Sequence, residues 1–380
     1  MAELELLPGV AAVPRDEWNA LVGDASPFLE WDWLASLEES GCVGPETGWQ
    51  PLPLVARENG RLVAACPLYL KAHSEGEFVF DGSWADAAER AGIRYYPKLL
   101  VGVPFTPVAG PRFLVAPGRD RAPWVRELAE GLRGLCAARD LSGAHVNFCL
   151  EDEVRVLEGC GFLPRVGVQY HWRNHGYASF DDYLAAFRSK KRNQIRRERR
   201  AVDEAGVRIE VVRGDAIGEE LFEPMFRCYR ATVDAHAWGR RYLSRRFFER
   251  LAERFRDRLC FVVARRGDRI VAGTTNVVKG DSFYGRYWGA LEPIRNLHFE
   301  VCYYAPIEWC IERGIQRFEP GAGGDYKWLR GFDATPTFSL HLLTEPRLSE
   351  AVSDFLARER AEAGRLIEAL GRASPLRRRG

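Results

Sequence analysis

The sequence predicts an α/β (α+β) chain of two tandem units, each a mixed sheet with flanking helices. Three observations carry this. Residues 55–65 read VARENGRLVAA and residues 263–273 read VARRGDRIVAG, an ungapped internal repeat. Each copy is an apolar strand, a two-residue turn built on Asn-Gly or Gly-Asp, and a returning strand. One such hairpin in each half of 380 residues implies one unit present twice. Around both hairpins, segments of helical period alternate with short apolar runs. The expected division is 1–172 and 173–380.

In order, Ser26-Pro-Phe-Leu opens a helical segment through Glu39, stopped by Gly41. Strands follow at Pro51–Arg57 and Arg61–Lys71, with a shorter one at Phe78–Phe80. Tyr96–Val103 is another apolar run, ended by the proline-rich loop VPFTPVAGP. Ala122–Arg139 has helical period, His145–Phe148 is a short strand, and another strand runs from about Phe162 to Trp172. The second half opens at Ser179-Phe-Asp-Asp182, a capping box for a long helix that continues into the run RSKKRNQIRRERR. Helices near 217–237 and 244–257, the second hairpin, a strand at Ser282–Ala290 and a helix at 297–313 complete the unit. An amphipathic helix near 348–370 precedes a frayed tail, PLRRRG.

The chain is 46% apolar and 28% charged, with 11 tryptophans and 21 phenylalanines, a composition for folded cores rather than disorder. The net charge of +1 excludes a polycation, so phosphate binding must come from a local patch. Nine scattered cysteines without a C-x-x-C pair argue against a disulfide framework or zinc knuckle and for a reducing cytoplasm. The acidic N-terminus does not read as a signal peptide, and no apolar run reaches spanning length. A soluble cytoplasmic protein with no metal site is expected; the sequence does not fix its oligomeric state.

The patch is at Arg188–Arg200, with eight basic residues and one acid. Tyr183, Leu184, Phe187 and Ile195 mark its buried stripe, so the cations crowd the remaining faces. Lys190, Lys191, Arg192 and Arg196 are the candidate donor-phosphate ligands, against the plain alternative of a solvated helix face. The second concentration of chemistry runs from His298 to His341. Its helix HFEVCYYAPIEWCIERG places Phe299, Cys302, Tyr303, Ile307 and Cys310 at core spacing, with Pro306 kinking or restarting it. Asn296 is the expected N-cap and His298 lies in the first turn. The turn EPGAGGDYKWLRGF follows; it fits neither a dinucleotide fingerprint nor a P-loop. Its amides can face an oxyanion, and Glu300, Asp325, Lys327 and Arg330 are the candidate catalytic residues. Arg286, Trp288 and His298 are candidate substrate contacts. So are Lys71, Trp84, Tyr95, Tyr96 and Lys98, part of a polar–aromatic series around loops of the first half, as in a binding groove. No nucleophilic triad or dyad is present in the sequence pattern.

SPFLEWDWLASLEESG, YYPKLLVGVPFTPVAGPR, FDDYLAAFRSKKRNQIRRERR, HFEVCYYAPIEWCIERG and FEPGAGGDYKWLRGF resemble the bacterial FemAB-like proteins, predicted N-acyltransferases or peptidoglycan biosynthesis/recognition proteins, across nearly the whole chain. The resemblance implies two tandem GNAT-like domains with a cleft between them. It implies transfer of an acyl or aminoacyl group to a small-molecule or peptide amine. The donor would be acyl-CoA or aminoacyl-tRNA, with no tightly bound cofactor; a non-catalytic module recognising peptidoglycan fragments is the alternative. Where the family's familiar form reads EPGAQGEHK, this chain has Gly323, Asp325 and Tyr326, which removes a histidine. Arg173-Asn-His-Gly176-Tyr-Ala178 is a formal match to the acetyl-CoA turn of GNAT proteins.

Overall fold

A computed structural model describes residues 2–235 and 240–377. Positions 236–237 of the expected helix and 378–380 of the expected tail lie outside them. The chain forms two compact units, Met1–Val168 with Pro336–Leu366, and Gln169–Thr335 with Ile367–Gly380.

In unit one, β1 (Glu3–Leu6), β3 (Leu54–Glu58), β4 (Arg61–Cys66) and β7 (Leu114–Val115) form one sheet in that order. A second is built from β2 (Trp49–Pro51), β5 (Leu68–Lys71), β6 (Lys98–Val101), β8 (Gly143–Cys149) and the later part of β15 (Asp333–Leu343). The pair β6 and β8 is parallel; its other strand pairs are antiparallel. Helices Arg121–Ala138 and Glu151–Glu158 cover the apolar face, where Leu99, Val101, Ala144, Val146 and Leu340 join Leu128 and Leu132 in one core. Segment 336–366 returns to this unit because β15 pairs with β8, His341 opposite His145. A division at 172/173 does not contain this return. The expected strand at Phe78–Phe80 does not form: Phe78 has positive φ and Phe80 is exposed.

Unit two starts within β9 (Leu163–Arg173) and contains β10 (Val207–Arg213), β11 (Leu259–Arg266), β12 (Arg269–Lys279), β13 (Ser282–Ala290) and β14 (Arg317–Glu319). The first four of these five pair antiparallel in sequence order, β13 and β14 pair parallel, and β14 pairs with the end of β9. Helix Phe222–Ala235 lies so close to β13 that a Cβ on Gly289 would sit 1.7 Å from the Cys228 carbonyl oxygen. Only glycine permits that approach.

Both hairpins of the repeat are present, with register shifts at matching places, Ala56/Arg57 and Ala264/Arg265. The capped helix is shorter than expected. Ser179 Oγ accepts from the Asp182 amide, but the helix ends at Ala185, and the basic run forms a separate helix, Ser189–Glu204. The backbone between them is engaged by the C-terminal segment: Phe187 bridges Leu376, and the Arg377 amide donates to the Ala186 carbonyl.

Candidate active site

In unit two β13 and β14 are paired only from Ser282/Arg317 to Tyr284/Glu319. Beyond this, β14 ends and the chain turns through Pro320 into Gly321–Gly324, while β13 continues against β12 alone. The β12–β13 register shifts there, leaving Arg286 as an extra residue between Gly285 and Tyr287. Gly285–Trp288 are half-buried, whereas Ser282–Tyr284 before them are buried. The end of a parallel pair, where strands part, is where open α/β sheets receive ligands.

The next element brings His298 to this place. Asn296 has positive φ and makes no side-chain cap, so the expected N-cap bond is absent. His298 follows in a one-turn helix, Leu297–Phe299, succeeded by a π-helical turn, Glu300–Tyr304, and an α-helix, Ala305–Glu312, with Pro306 in its first turn. Pro306 therefore restarts the helix, its missing N–H costing nothing in a first turn. The His298 ring lies 4.9 Å from Trp288, 5.5 Å from Tyr303 and 5.7 Å from Tyr326, centroid to centroid. Burial, reinforced by the Arg330 and Lys327 charges, lowers its pKa to about 4, so the imidazole is neutral at pH 7.

Lys327 is 2% exposed, and its ammonium donates to the carbonyls of Gly321 (2.8 Å) and Ala322 (3.2 Å). Gly321, Gly323 and Gly324 all have positive φ, which lets the turn fold back over this lysine. Burial lowers the Lys327 pKa to about 8. Asp325 is exposed and accepts from the Tyr170 hydroxyl at 3.1 Å.

Glu300 and Arg330 are buried and engaged elsewhere. Arg330 donates to Glu198 (3.0 Å), to the Tyr304 hydroxyl (2.8 Å) and to the Tyr326 carbonyl (3.0 Å), and lies 3.4 Å over the Phe299 ring. Glu300 pairs with Arg199 at 3.0 Å, and Arg199 also reaches Glu308 at 2.6 Å. Burial raises Glu300 to about 6, with Arg199 opposing. The two partners, Glu198 and Arg199, belong to the basic helix. Sequence reasoning passed over them, although Glu198 is the single acid in the run and stands three residues after the buried Ile195. They anchor the helix and leave Lys190 exposed and Arg192 half-buried; Lys191 bonds Gln194 (3.1 Å) and Arg196 bonds Asp181 (3.2 Å). The formal acetyl-CoA turn is differently employed: the amides of Gly176 and Tyr177 donate to Asn174 Oδ1, and that of Ala178 to Asp182.

In unit one, Lys71, Trp84, Tyr95, Tyr96 and Lys98 do come together, but around a buried charge network. Lys98 is fully buried and contacts Glu77 (3.0 Å), Ser74 (2.8 Å) and Asp81. Tyr95 donates to Asp81 at 2.7 Å, Tyr96 and Ser74 share a hydrogen bond of 2.8 Å, and Lys71 lies 3.5 Å over the Trp49 ring. Glu77 was absent from the sequence reading, and Asp81 stood in its polar–aromatic series with no role of its own.

The sequence matches the FemAB-like family, described as peptidoglycan biosynthesis/recognition, over residues 9–378. The chain belongs to the FemAB-like family. No curated protein matches its sequence. Among solved structures this FemAB-like chain is similar to FemX, at 11% identity and TM-score 0.55, covering 90% of this chain and 98% of that one. It is similar to L-PGS from Bacillus licheniformis, at 9% identity and TM-score 0.53 over 88% and 98% of the two chains. A third is the C-terminal domain (DUF2156) of a putative lysylphosphatidylglycerol synthetase from Agrobacterium fabrum, at 12% identity and TM-score 0.55 over 89% and 94%. These likenesses show a shared fold, in line with the fold class expected from the sequence. No helix among the described residues is long and apolar enough to cross a membrane.

Proposed function

We propose that this FemAB-like chain is a transferase that moves an acyl or aminoacyl group from a phosphate-bearing donor to an amine. The observation that carries the proposal is Lys327, a buried lysine whose pKa falls to about 8, held by two carbonyls of a glycine turn where β13 and β14 part. A neutral lysine donating two N–H groups to two carbonyls keeps its lone pair for a third partner. A base with a pKa near the working pH is efficient in proton transfer.

In the proposed reaction the acceptor amine attacks the donor's carbonyl carbon. A C–N bond forms and the amine proton passes to Lys327. The tetrahedral oxyanion is met by amides of the Gly321–Gly324 turn. The bond to the donor's sulfur or oxygen then breaks, and Lys327 returns the proton to that leaving atom. Asp325 holds the approaching amine by its charge. Trp288, Arg286 and neutral His298 line the opening. Glu300 and Arg330 act as positioning residues, tying the basic helix to the helix that carries His298.

Lys190, Lys191 and Arg192 grip the donor. They occupy the first turn of helix Ser189–Glu204, which holds no acidic residue. Cations there oppose the helix dipole, a cost that bound phosphate removes. Acyl-CoA and aminoacyl-tRNA both carry such phosphates, and the assay includes both. Recognition of a peptidoglycan peptide without catalysis is the second reading, favoured by Tyr326 and Leu329, which are 39% and 40% exposed beside the turn.

The test is intact-mass analysis of candidate amines after incubation with acyl-CoA pools and charged tRNA. We expect kcat/KM to rise with pH to about 8 and then level, because the active lysine is the unprotonated one. Lys327→Ala should remove that limb and lower turnover by about 100-fold or more. An unchanged rate and pH profile removes Lys327 from the mechanism. Tight muropeptide binding with no product from any donor supports the recognition reading instead.

A further inference from the structure

The edge of a sheet is a ready template for another strand, and proteins blunt it with short strands, proline, bulges or charge. Three of the four sheet edges among the described residues follow this rule. β7 is two residues long, β2 is three and ends in Pro51, and β1 is four and carries Glu3 and Glu5, which repel a copy of themselves. β10 is different. It runs for seven residues, VRIEVVR, without proline or glycine, keeps one register with β11 throughout, and stands last in its sheet.

The two faces of β10 are unlike. Val207, Ile209 and Val211 pack with Val202 and Ala305 of the helices Ser189–Glu204 and Ala305–Glu312, so Arg208 and Glu210 lie on the opposite face. The helices do not close over the apolar face. Ile209 and Val211 stay half-buried, and a groove of about 660 Å³ is lined by Val207, Ile209 and Val211 together with Ala305 and Trp309, and by charged residues of both signs. On the polar face Arg208 stands 3.4 Å from Glu210, and Glu210 reaches Arg265 at 3.2 Å. The Arg208 and Glu210 side chains remain 72% and 39% exposed, so both can meet a further strand.

The strand that fits this edge is β10 itself. Two-fold pairing of antiparallel strands keeps like faces together, so odd positions oppose odd and even oppose even. Three such registers pair five or more of the seven residues. Centred on Glu210, the pairing sets that carboxylate against its own copy, which is destabilising. Centred on Val211, it opposes Ile209 to Arg213 and leaves Glu210 against Val212. Centred on Ile209, it opposes Ile209 to Ile209, Val207 to Val211 and Arg208 to Glu210, the last two contacts each made twice. We propose that two copies of this chain join edge to edge through β10 in the register centred on Ile209. Each Arg208 then meets the partner's Glu210, and the partner's Val207, Ile209 and Val211 continue the apolar face beside the groove. The pairing is independent of the transferase reading.

Sedimentation velocity of the full chain at concentrations up to about 100 µM tests this, and a monomer–dimer equilibrium is expected. Arg208→Glu turns two attractive pairs into two repulsive ones and should weaken association by about tenfold or more. Combining Arg208→Glu with Glu210→Arg exchanges the signs and keeps a carboxylate for Arg265, which stands opposite position 208, so association should return. Ile209→Lys sets two ammoniums against each other on the two-fold axis and should abolish the dimer. Arg208 is exposed, so its variants remain informative if Ile209→Lys does not fold. A chain that stays monomeric at about 100 µM overturns the proposal. So does a dimer that Arg208→Glu leaves unchanged, or a double variant that associates no better than the single one, because either result puts the contact elsewhere.

Discussion

The two units repeat one plan and use it in opposite ways. Each has a two-residue hairpin with a register shift at the matching residue, and later a parallel strand pair separated by a helix. In unit one, β6 and β8 are buried along their whole length, and the polar groups beside them, Lys71, Lys98, Glu77 and Asp81, are sealed. In unit two the parallel pair stops after Tyr284/Glu319, and Gly285–Trp288 remain half-buried beside His298 and the exposed Tyr326. The same local plan therefore yields a closed charge network in one copy and an open strand end in the other. What differs is the neighbouring chain: segment 72–97, which leads into β6, carries Glu77 and Asp81 to Lys98, whereas a glycine turn leads away from β14.

Breaking the networks gives the largest expected effects. Lys98→Met leaves Asp81 without its buried cation and Glu77 with only the Lys71 ammonium at 3.8 Å, and should cost about 3–5 kcal/mol in urea unfolding. Adding Asp81→Asn should recover most of that loss, because one positive and one negative charge then go together and Lys71 keeps Glu77. In unit two, Arg330→Met strips one partner from Glu198, which keeps the Tyr304 hydroxyl and the Gln194 amide. A loss of about 2–3 kcal/mol is expected there. If Arg330→Met proves as costly as Lys98→Met, the contrast between a sealed and an open unit loses its energetic basis.

The features legible in the sequence are those written locally. The hairpins declare themselves through Asn59-Gly60 and Gly267-Asp268 between apolar runs, and the helix restart through Pro306. The return of 336–366 to unit one was not legible, because β15 finds β8 across nearly the whole second unit of sequence. The same holds for the site. His298, Trp288 and Lys327 were chosen on their neighbours in sequence and do converge in space. Glu198 and Arg199 were hidden inside a run of charges, because helical phase, rather than composition, turns them inward. Glu77 and Asp81 gain meaning only when Lys98, many residues later, is placed against them.

Acid should distinguish the units by a smaller amount. Burial lowers His145 in unit one to about 3 and His298 in unit two to about 4, each from an ordinary value of 6.5. Between 6.5 and those values the unfolded chain binds the proton and the folded chain does not, so stability falls as pH falls. Glu77 and Glu300, raised to about 7 and about 6, work in the opposite sense above 4.5, since their folded forms take up protons first. Replacing a histidine by an uncharged residue isolates its share. His145→Asn should flatten the acid limb of the urea midpoint by on the order of 1–2 kcal/mol relative to its own value at pH 7. His298→Asn should flatten it less, because its ring is only partly enclosed and its folded pKa lies nearer the ordinary one. Equal slopes in the two variants would remove this difference between the units.

The smallest expected effect bears on how alike the two copies are. Both hairpin loops hold two residues, between Glu58 and Arg61 and between Arg266 and Arg269. In the first loop Asn59 and Gly60 both have positive φ, at 50° and 76°, as a type I′ turn requires. In the second, Gly267 has φ of 60° and Asp268 is not in the left-handed region, which is the type II′ pattern. The copies thus meet one requirement, a turn whose twist matches the strands, with different residues. Gly60→Ala and Gly267→Ala should each cost about 1 kcal/mol, because a Cβ is strained at positive φ in either loop. The neighbouring positions should part company. Asn59→Ala should cost measurably, since it too must sit at positive φ, whereas Asp268→Ala should be close to neutral. Urea midpoints of the four single variants decide the matter. A costly Asp268→Ala would mean that the second loop shares the first loop's turn, and that the two hairpins have diverged less than their backbones indicate.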